Sequence, residues 1–339
     1  MKVLVYSARP YDERFLREAN QGQHELHFVE TRLERQTVIL AKDFPVICGF
    51  VEDDLSAPVL RQLVKGKTRL ITLRSTGFNN VDLEAADRLG LTVMRVAAYS
   101  PYSIAEFAVG IILSLNRKIH RAYQRVRDNN FLLDGLLGFD LHGKTVGVVG
   151  TGKIGAVFSQ IMHGFGCHLL GYDLRQKPEL IALGMRYTSL NELLSQSDII
   201  SLHIPLTPET YHLINHETIA FLKEGAMLIN TSRGALIDAR VLIPSLKRGR
   251  LSAVGLDVYE EESHLYFRDL SDKILQDDVI ARLITFPNVL ITGHQAFFTR
   301  EAETEIAATV VQNISDFASG RTNANTLKAE KVLVSSRYK

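Results

Sequence analysis

Short apolar runs alternate with amphipathic stretches from the first residues of the chain. Val3–Ser7 (VLVYS), Glu25–Glu30 (ELHFVE), Val46–Phe50 (VICGF), Arg69–Ser75 (RLITLRS) and Leu91–Val96 (LTVMRV) read as strands, and patterns such as APVLRQLVKG lie between them at helical spacing. Runs apolar on both faces that alternate with helices predict a parallel, doubly wound sheet. From Ser103 a long helical pattern runs to Asp128, with Ser103 and Glu106 at capping-box spacing. The alternation then restarts with KTVGVVG, Cys167–Asp173, Asp198–Ile204, Gly225–Ser232, Ala253–Val258 and Asn288–His294. A last helix over Glu301–Ala318 places Ile306, Val310, Ile314 and Phe317 on one stripe. Docking of that stripe on the first lobe makes the lobe discontinuous: residues 1–100 with 299–339, around a second lobe of residues 101–298.

Composition narrows the function classes. A chain of 339 residues suits two domains of about 150 residues each. With 39 basic and 38 acidic residues and no block of like charge, neither a nucleic-acid face nor a polybasic membrane anchor is expected. No apolar run reaches the roughly 18 residues of a membrane span, and MKVLVYSARP turns polar too early for a signal peptide, so the expected location is the cytoplasm. The two cysteines, Cys48 and Cys167, sit among apolar neighbours and read as buried thiols. None of the 11 histidines pairs with another ligand at structural-metal spacing, so no metal site is expected.

The segment Gly150-Thr151-Gly152-Lys153-Ile154-Gly155 follows the strand TVGVV and opens a helix. Its glycines suit a tight turn, close backbone approach to a pyrophosphate, and close helix packing, while the helix start supplies free N–H groups and a positive dipole end. Asp173 ends the next strand, near the roughly 20-residue spacing of a carboxylate that accepts from the adenosine ribose hydroxyls. NAD is therefore the expected cofactor. Arg175 and Lys177 stand beside that acid, as solvated charges or as partners for a 2′-phosphate, which keeps NADP as a secondary cofactor.

Catalytic groups on such a sheet come from the carboxyl ends of later strands. Arg233 follows LINTS, Glu262 follows AVGLDV, and His294 ends VLITGH. Hydride transfer to a 2-oxo acid puts negative charge on the carbonyl oxygen, so a proton donor that titrates near neutrality is needed, and histidine fits. A neighbouring glutamate orients the ring and favours imidazolium. The arginine fork binds the substrate carboxylate through two parallel hydrogen bonds, which lysine cannot do.

Together the segments GFNNVDLEAA, LNRKIHRAYQRVRD, GKTVGVVGTGKIG, SLHIPLTPETYHLIN, NTSRGALID, GLDVYEEE and TGHQAFFT span nearly the whole chain. On these the chain resembles the D-isomer-specific 2-hydroxyacid dehydrogenases, most closely the fermentative D-lactate dehydrogenases. The resemblance implies a flavodoxin-like substrate lobe, a Rossmann NAD-binding lobe and an active-site cleft between them. It matches the family's catalytic Arg, Glu and His to Arg233, Glu262 and His294, and the family pattern selects the third glutamate of DVYEEE. Substrate contacts are implied for the backbone N–H groups of Ser75, Thr76 and Gly77 and for Phe50, Tyr99 and Phe297, although Phe50 and Phe297 read equally as core aromatics. Here the chain departs from the family, with RSTGFNN where RCAGFNN is expected; side chains change while the inferred grip is backbone.

Cofactor roles follow from the same resemblance. Gly152–Ile154 face the pyrophosphate, Asp173 the ribose, and Ile204 and Pro205 the adenine side. Thr231, Ser232 and Asp257 lie by the nicotinamide, with Asp257 accepting from the carboxamide. The expected reaction is NADH-dependent reduction of pyruvate to D-lactate by a homodimer or higher homo-oligomer. The alternatives are another 2-oxo acid (glyoxylate, hydroxypyruvate or phenylpyruvate), and an NAD(H)-sensing binding protein on the same scaffold.

Overall fold

The computed structural model describes residues 1–262 and 265–329. The chain divides into two compact units, one made of Met1–Ser100 with the chain from Phe298 on, the other of Pro101–Phe297. Residues 330–339, assigned from the sequence to the first lobe, lie outside the described part.

The first hundred residues run β1 (Lys2–Val5), α1 (Pro10–Asn20), β2 (Glu25–Phe28), β3 (Val46–Gly49), α2 (Ala57–Lys65), β4 (Leu70–Leu73), α3 (Leu83–Arg88) and β5 (Thr92–Met94). The second unit runs α4 (Pro101–Arg117), α5 (Ile119–Arg127), β6 (Thr145–Val149), α6 (Lys153–Gly164), β7 (His168–Tyr172), α7 (Pro178–Ala182) and β8 (Arg186–Tyr187). It continues with α8 (Leu190–Gln196), β9 (Ile199–Leu202), β10 (Ala226–Asn230), α9 (Leu242–Lys247), β11 (Leu251–Leu256), α10 (Asp278–Leu283) and β12 (Val289–Ile291). The chain then returns to the first unit with α11 (Arg300–Ala318) and β13 (Thr326–Leu327).

Strand order in the first unit is β13-β5-β4-β3-β1-β2, parallel except for the edge strand β13. The five parallel strands thus follow the flavodoxin-like order, whose switch point lies between β1 and β3. All four residues of β3 and of β4 are buried, as central strands covered on both faces require. Helix α11 packs on α1 and β4. It is capped by Thr299, whose Oγ accepts from the Ala302 N–H.

The second unit has seven parallel strands in the order β12-β11-β10-β9-β6-β7-β8. The unit's first strand, β6, lies inside the sheet between β9 and β7, so the order reverses beside it, and that is where a Rossmann sheet binds its ligand. Strand residues alternate between two cores. Val146, Leu169, Ile199 and Ile229 pack with α4 and α6, while Leu170, Ile200, Leu228 and Val254 pack with α8 and α9.

Two expectations about the long helix change. It begins at Pro101, so Ser103 is a buried residue of its first turn and not the cap. A proline at the first helical position has a fixed φ and no N–H to orphan, which sets the start two residues earlier. The helix also breaks at Lys118, whose φ of 51° is left-handed. There Asn116 pairs with the backbone of Phe139 in both directions, at 2.7 and 2.8 Å, and the Lys118 ammonium donates to the Leu137 carbonyl.

Candidate active site

Three loops leave the carboxyl ends of adjacent strands β10, β11 and β12 and carry Arg233, Glu262 and His294. A relay of hydrogen bonds joins them. The Asn230 amide donates to the Arg233 carbonyl (2.8 Å), the Asp257 N–H to the Asn230 carbonyl (3.0 Å), and the His294 N–H to the Asp257 carbonyl (2.8 Å). His294 holds a left-handed φ of 55°, a conformation that few non-glycine residues adopt and that the surrounding bonds must sustain.

His294 Nδ1 lies 2.9 Å from Glu262 Oε1, and the other oxygen, Oε2, accepts from the Tyr259 N–H at 3.0 Å. Both side chains keep partial solvent access, 22% for His294 and 28% for Glu262. The neighbouring glutamates go elsewhere: Glu260 bonds His212 at 2.6 Å and Tyr211 at 3.2 Å, while Glu261 is exposed. Among the three acids of DVYEEE, Glu262 is the one that meets His294. Because a carboxylate only accepts, Nδ1 carries the proton and Nε2 is the nitrogen available to a second partner.

One guanidinium nitrogen of half-buried Arg233 donates to the Ser232 carbonyl at 2.7 Å, and the rest of the fork bonds nothing among the described residues. Gly234 explains how its loop comes so near the Glu262 turn. A Cβ there would stand 2.0 Å from the Tyr259 carbonyl carbon and 2.4 Å from Glu260 N. The sequence pattern carries no sign of that role, because the contact is with the Tyr259 and Glu260 backbone, about 25 residues further on.

Asp257 directly follows β11, ahead of the Glu262 loop. The residue is 0% exposed, and its oxygens accept from Thr292 Oγ1 (2.6 Å), Gln295 N (2.9 Å) and Ala296 N (2.8 Å). Its carboxylate therefore organises the loop that carries His294. Burial pushes its pKa up from the usual carboxylate value, opposed by these three donors.

The glycine loop has the geometry a dinucleotide requires. Gly150 has φ of 93°, and a Cβ on it would strike the His203 carbonyl at 2.6 Å and Ile204 Cγ2 at 2.5 Å. At Gly155 a Cβ would lie 1.9 Å from the Gly150 carbonyl, whereas at Gly152 it would meet nothing within 4 Å. The outer glycines thus close the turn, and the middle one leaves room for an incoming phosphate. Lys153, Ile154 and Gly155 open α6, whose first-turn N–H groups have no intrahelical acceptor. Asp173 accepts from Thr151 N at 2.6 Å, Thr151 Oγ1 at 3.1 Å and Arg175 N at 3.0 Å. The Arg175 side chain is exposed.

Ser232 Oγ donates to the Ile204 carbonyl at 2.6 Å, which brings the Arg233 loop beside the turn closed by Gly150, and the Pro205 carbonyl accepts from Thr210 Oγ1. Thr231 Oγ1 is buried with no hydrogen-bond partner among the described residues, a polar atom that a bound group can satisfy. His203, by contrast, is a structural histidine. Burial drives it down to about 3, and its Nε2 pairs with Ser201 Oγ.

In the first unit the structure gathers Phe50, Ser75, Thr76 and Gly77 at the ends of β3 and β4. Ser75 Oγ donates to the Gly77 carbonyl (2.7 Å) and Thr76 Oγ1 to the Val96 carbonyl (2.9 Å). The backbone N–H groups of Ser75, Thr76 and Gly77 donate to no acceptor among the described residues. Tyr99 follows β5 and Phe297 ends the second unit; both are half-buried. Among the described residues no cluster of His, Cys, Asp and Glu could hold a metal ion, and no helix is long and apolar enough to cross a membrane.

Residues 109–296 match the NAD-binding domain of the D-isomer specific 2-hydroxyacid dehydrogenases. The chain is 49% identical to the D-lactate dehydrogenase of Escherichia coli over 328 residues, covering 96% of this chain and 100% of that protein. Its structure is similar to that of the pyruvate reductase of Chlamydomonas reinhardtii, with TM-score 0.92 and 43% identity over 96% of this chain and 98% of the other. It is also similar to the D-lactate dehydrogenase of Aquifex aeolicus solved with NAD and lactic acid, with TM-score 0.84 and 36% identity over 94% of this chain and 96% of the other. The chain belongs to the D-isomer-specific 2-hydroxyacid dehydrogenases and is an NAD-dependent oxidoreductase of that family.

Proposed function

We propose that this enzyme reduces pyruvate to D-lactate with NADH, reversibly. The observation that carries the reading is the Glu262–His294 pair on the strand ends beside the Arg233 loop, with Nε2 left for a substrate oxygen. NADH supplies the hydride. The Arg233 fork holds the substrate carboxylate and polarises the neighbouring carbonyl. His294 Nε2 donates the proton to the carbonyl oxygen and takes it back in the oxidative direction, while Glu262 fixes the ring and its tautomer. The backbone N–H groups of Ser75, Thr76 and Gly77 receive the carboxylate as donors, and Phe50, Tyr99 and Phe297 bound the small side chain.

For the cofactor, Gly150, Gly152, Lys153, Ile154 and Gly155 hold the pyrophosphate, and Asp173 the ribose. Ile204 and Pro205 line the adenine side, and Thr231 and Ser232 meet the nicotinamide. Asp257 acts through the loop it caps. Exposed Arg175 leaves NADPH as a secondary cofactor. The enzyme works in the cytoplasm, where its two buried, free cysteines stay reduced. A second copy of the chain covers the apolar face of α5, where Ile119, Tyr123 and Val126 are exposed on one stripe near exposed Phe131, Leu132 and Leu133.

The deciding experiment follows NADH absorbance with pyruvate beside glyoxylate, hydroxypyruvate and phenylpyruvate, with NADPH in parallel and the chirality of the product checked. Fast pyruvate turnover to the D isomer is expected. Tight NADH binding without turnover of any of the four acids would replace this reading with a nucleotide-sensing one. Light scattering on the same sample tests the dimer.

A further inference from the structure

Arg74 directly follows β4 and precedes the Ser75–Gly77 loop, yet its side chain turns inward and the residue is 3% exposed. Nε donates to Asp12 Oδ1 on α1 at 3.1 Å, Nη1 to the Tyr6 carbonyl at 3.1 Å, and Nη2 to the Ser7 carbonyl at 3.2 Å. The guanidinium also lies 5.3 Å from the centre of the Phe50 ring. One side chain therefore ties the end of β4 to the end of β1, to α1 and to the residue that follows β3. Every edge of its fork faces protein, so the group has no free direction for a substrate carboxylate.

A second buried group holds Phe50 from its backbone side. Asp53, 1% exposed, accepts from Phe50 N at 2.6 Å, Leu33 N at 2.8 Å and Ser7 Oγ at 2.7 Å. Ser7 is thus shared, its carbonyl bound by Arg74 and its hydroxyl by Asp53. Both buried groups thus meet Phe50, one at its ring and one at its backbone, and Arg74 adjoins the Ser75–Gly77 loop in the chain. Burying a charge costs more than closing the same space with apolar side chains, so its presence here matters for geometry more than for stability.

We infer that Arg74 is a positioning residue for the 2-oxo acid: by joining the ends of β1 and β4, α1 and Phe50, it sets the three N–H groups of Ser75–Gly77 in register for the substrate carboxylate. The inference rests on the carboxylate grip proposed above for that loop. Lysine keeps the charge but has one ammonium in place of a planar fork, so it cannot match the separated nitrogens that reach Asp12 on α1 and the Tyr6 and Ser7 carbonyls after β1. Loss of register of even about an ångström is enough to weaken a positioned contact by one to two orders of magnitude.

The test compares Arg74→Lys and Asp12→Asn with wild type in KM and kcat for pyruvate, in the dissociation constant of the unreactive analogue oxamate, and in that of NADH. For Arg74→Lys, KM and the oxamate constant rise about tenfold or more, while kcat stays within about threefold and NADH binding is unchanged. Asp12→Asn leaves Arg74 in place but loosens it, and shifts the same two constants in the same direction by a smaller factor; it decides the matter alone if Arg74→Lys does not fold. An unchanged KM in folded variants, or a parallel loss of kcat, KM and NADH affinity, overturns the inference. A wild type that reduces glyoxylate or phenylpyruvate in place of pyruvate overturns only the substrate reading, and the same comparison is then made with that acid, because the carboxylate is common to all of them.

Discussion

The two units place their charged groups on opposite terms. Among the described residues the first unit buries Asp12, Asp53, Arg74, Glu303 and Asp316, whereas the second buries only Asp257. In the second unit Arg233, Glu262 and His294 all stay half-buried. A group that exchanges protons or meets a solute must remain reachable, and it can be aimed by glycine-permitted backbone contact and one buried carboxylate. A loop that offers only backbone N–H groups has no side chain to aim, and buried charges brace the strand ends beside it. On the proposed reading the first unit supplies geometry and the second supplies the groups that meet the reacting atoms.

The largest effect is expected where the chemistry is assigned. His294→Gln should lower kcat by about 100- to 10,000-fold, with a thermal midpoint close to wild type because the side chain is part-exposed. Steady-state kinetics beside thermal unfolding checks this, and a retained kcat would move the proton donor elsewhere. Gly234→Ala attacks the support of the same site. A Cβ at 2.0 Å from backbone carbon cannot be absorbed by a side-chain movement, so a loss of about 3 kcal/mol is expected in urea unfolding, with a displaced Arg233.

The first unit is tested through pH. Burial pushes Glu303 from 4.5 up to about 7, with Asp12 adding to the rise and Arg74 opposing it. The native state then holds this proton more tightly than the unfolded chain. Its contribution to stability is present below about 4.5 and is lost as pH rises through 7. Glu303→Gln cannot lose it, so wild type should fall behind the variant by about 2 kcal/mol between pH 5 and pH 8. Equal slopes of stability against pH in the two proteins would show that the buried charges of this unit are not linked to protons. The smallest effect is expected at the cofactor end. Asp173→Ala should weaken NADH and narrow its advantage over NADPH by about tenfold, in line with one charged hydrogen-bonding group. An unchanged ratio would show that Asp173 acts on the loop through Thr151 and not on the ribose.

Much of the plan was legible because it lies in local pattern. Strand runs apolar on both faces identified nearly all central strands, since a parallel sheet covered by helices leaves no polar face. The glycine loop was legible because its turn demands residues without a Cβ, and the trio because parallel strands direct their carboxyl-end loops to one edge. Short or marginal elements such as β8, two residues long, and β13 escaped, because two residues carry no periodicity. The long helix was misjudged at both ends of its first half. The start follows Pro101, and the break at Lys118 is held by residues some twenty positions further on.

Sequence by itself determined the two doubly wound sheets, the glycine loop and the three residues proposed for chemistry, because each follows from periodicity, from a missing side chain or from a strand end. Only tertiary structure decided that Asp257 caps the loop that carries His294, that Gly234 lets the Arg233 loop approach the Tyr259 backbone, and that Arg74 turns inward to Asp12 and the end of β1. The physical reason is the same in each case. Hydrogen bonds and close contacts between segments tens of residues apart depend on strand order and side-chain direction, which no local pattern encodes.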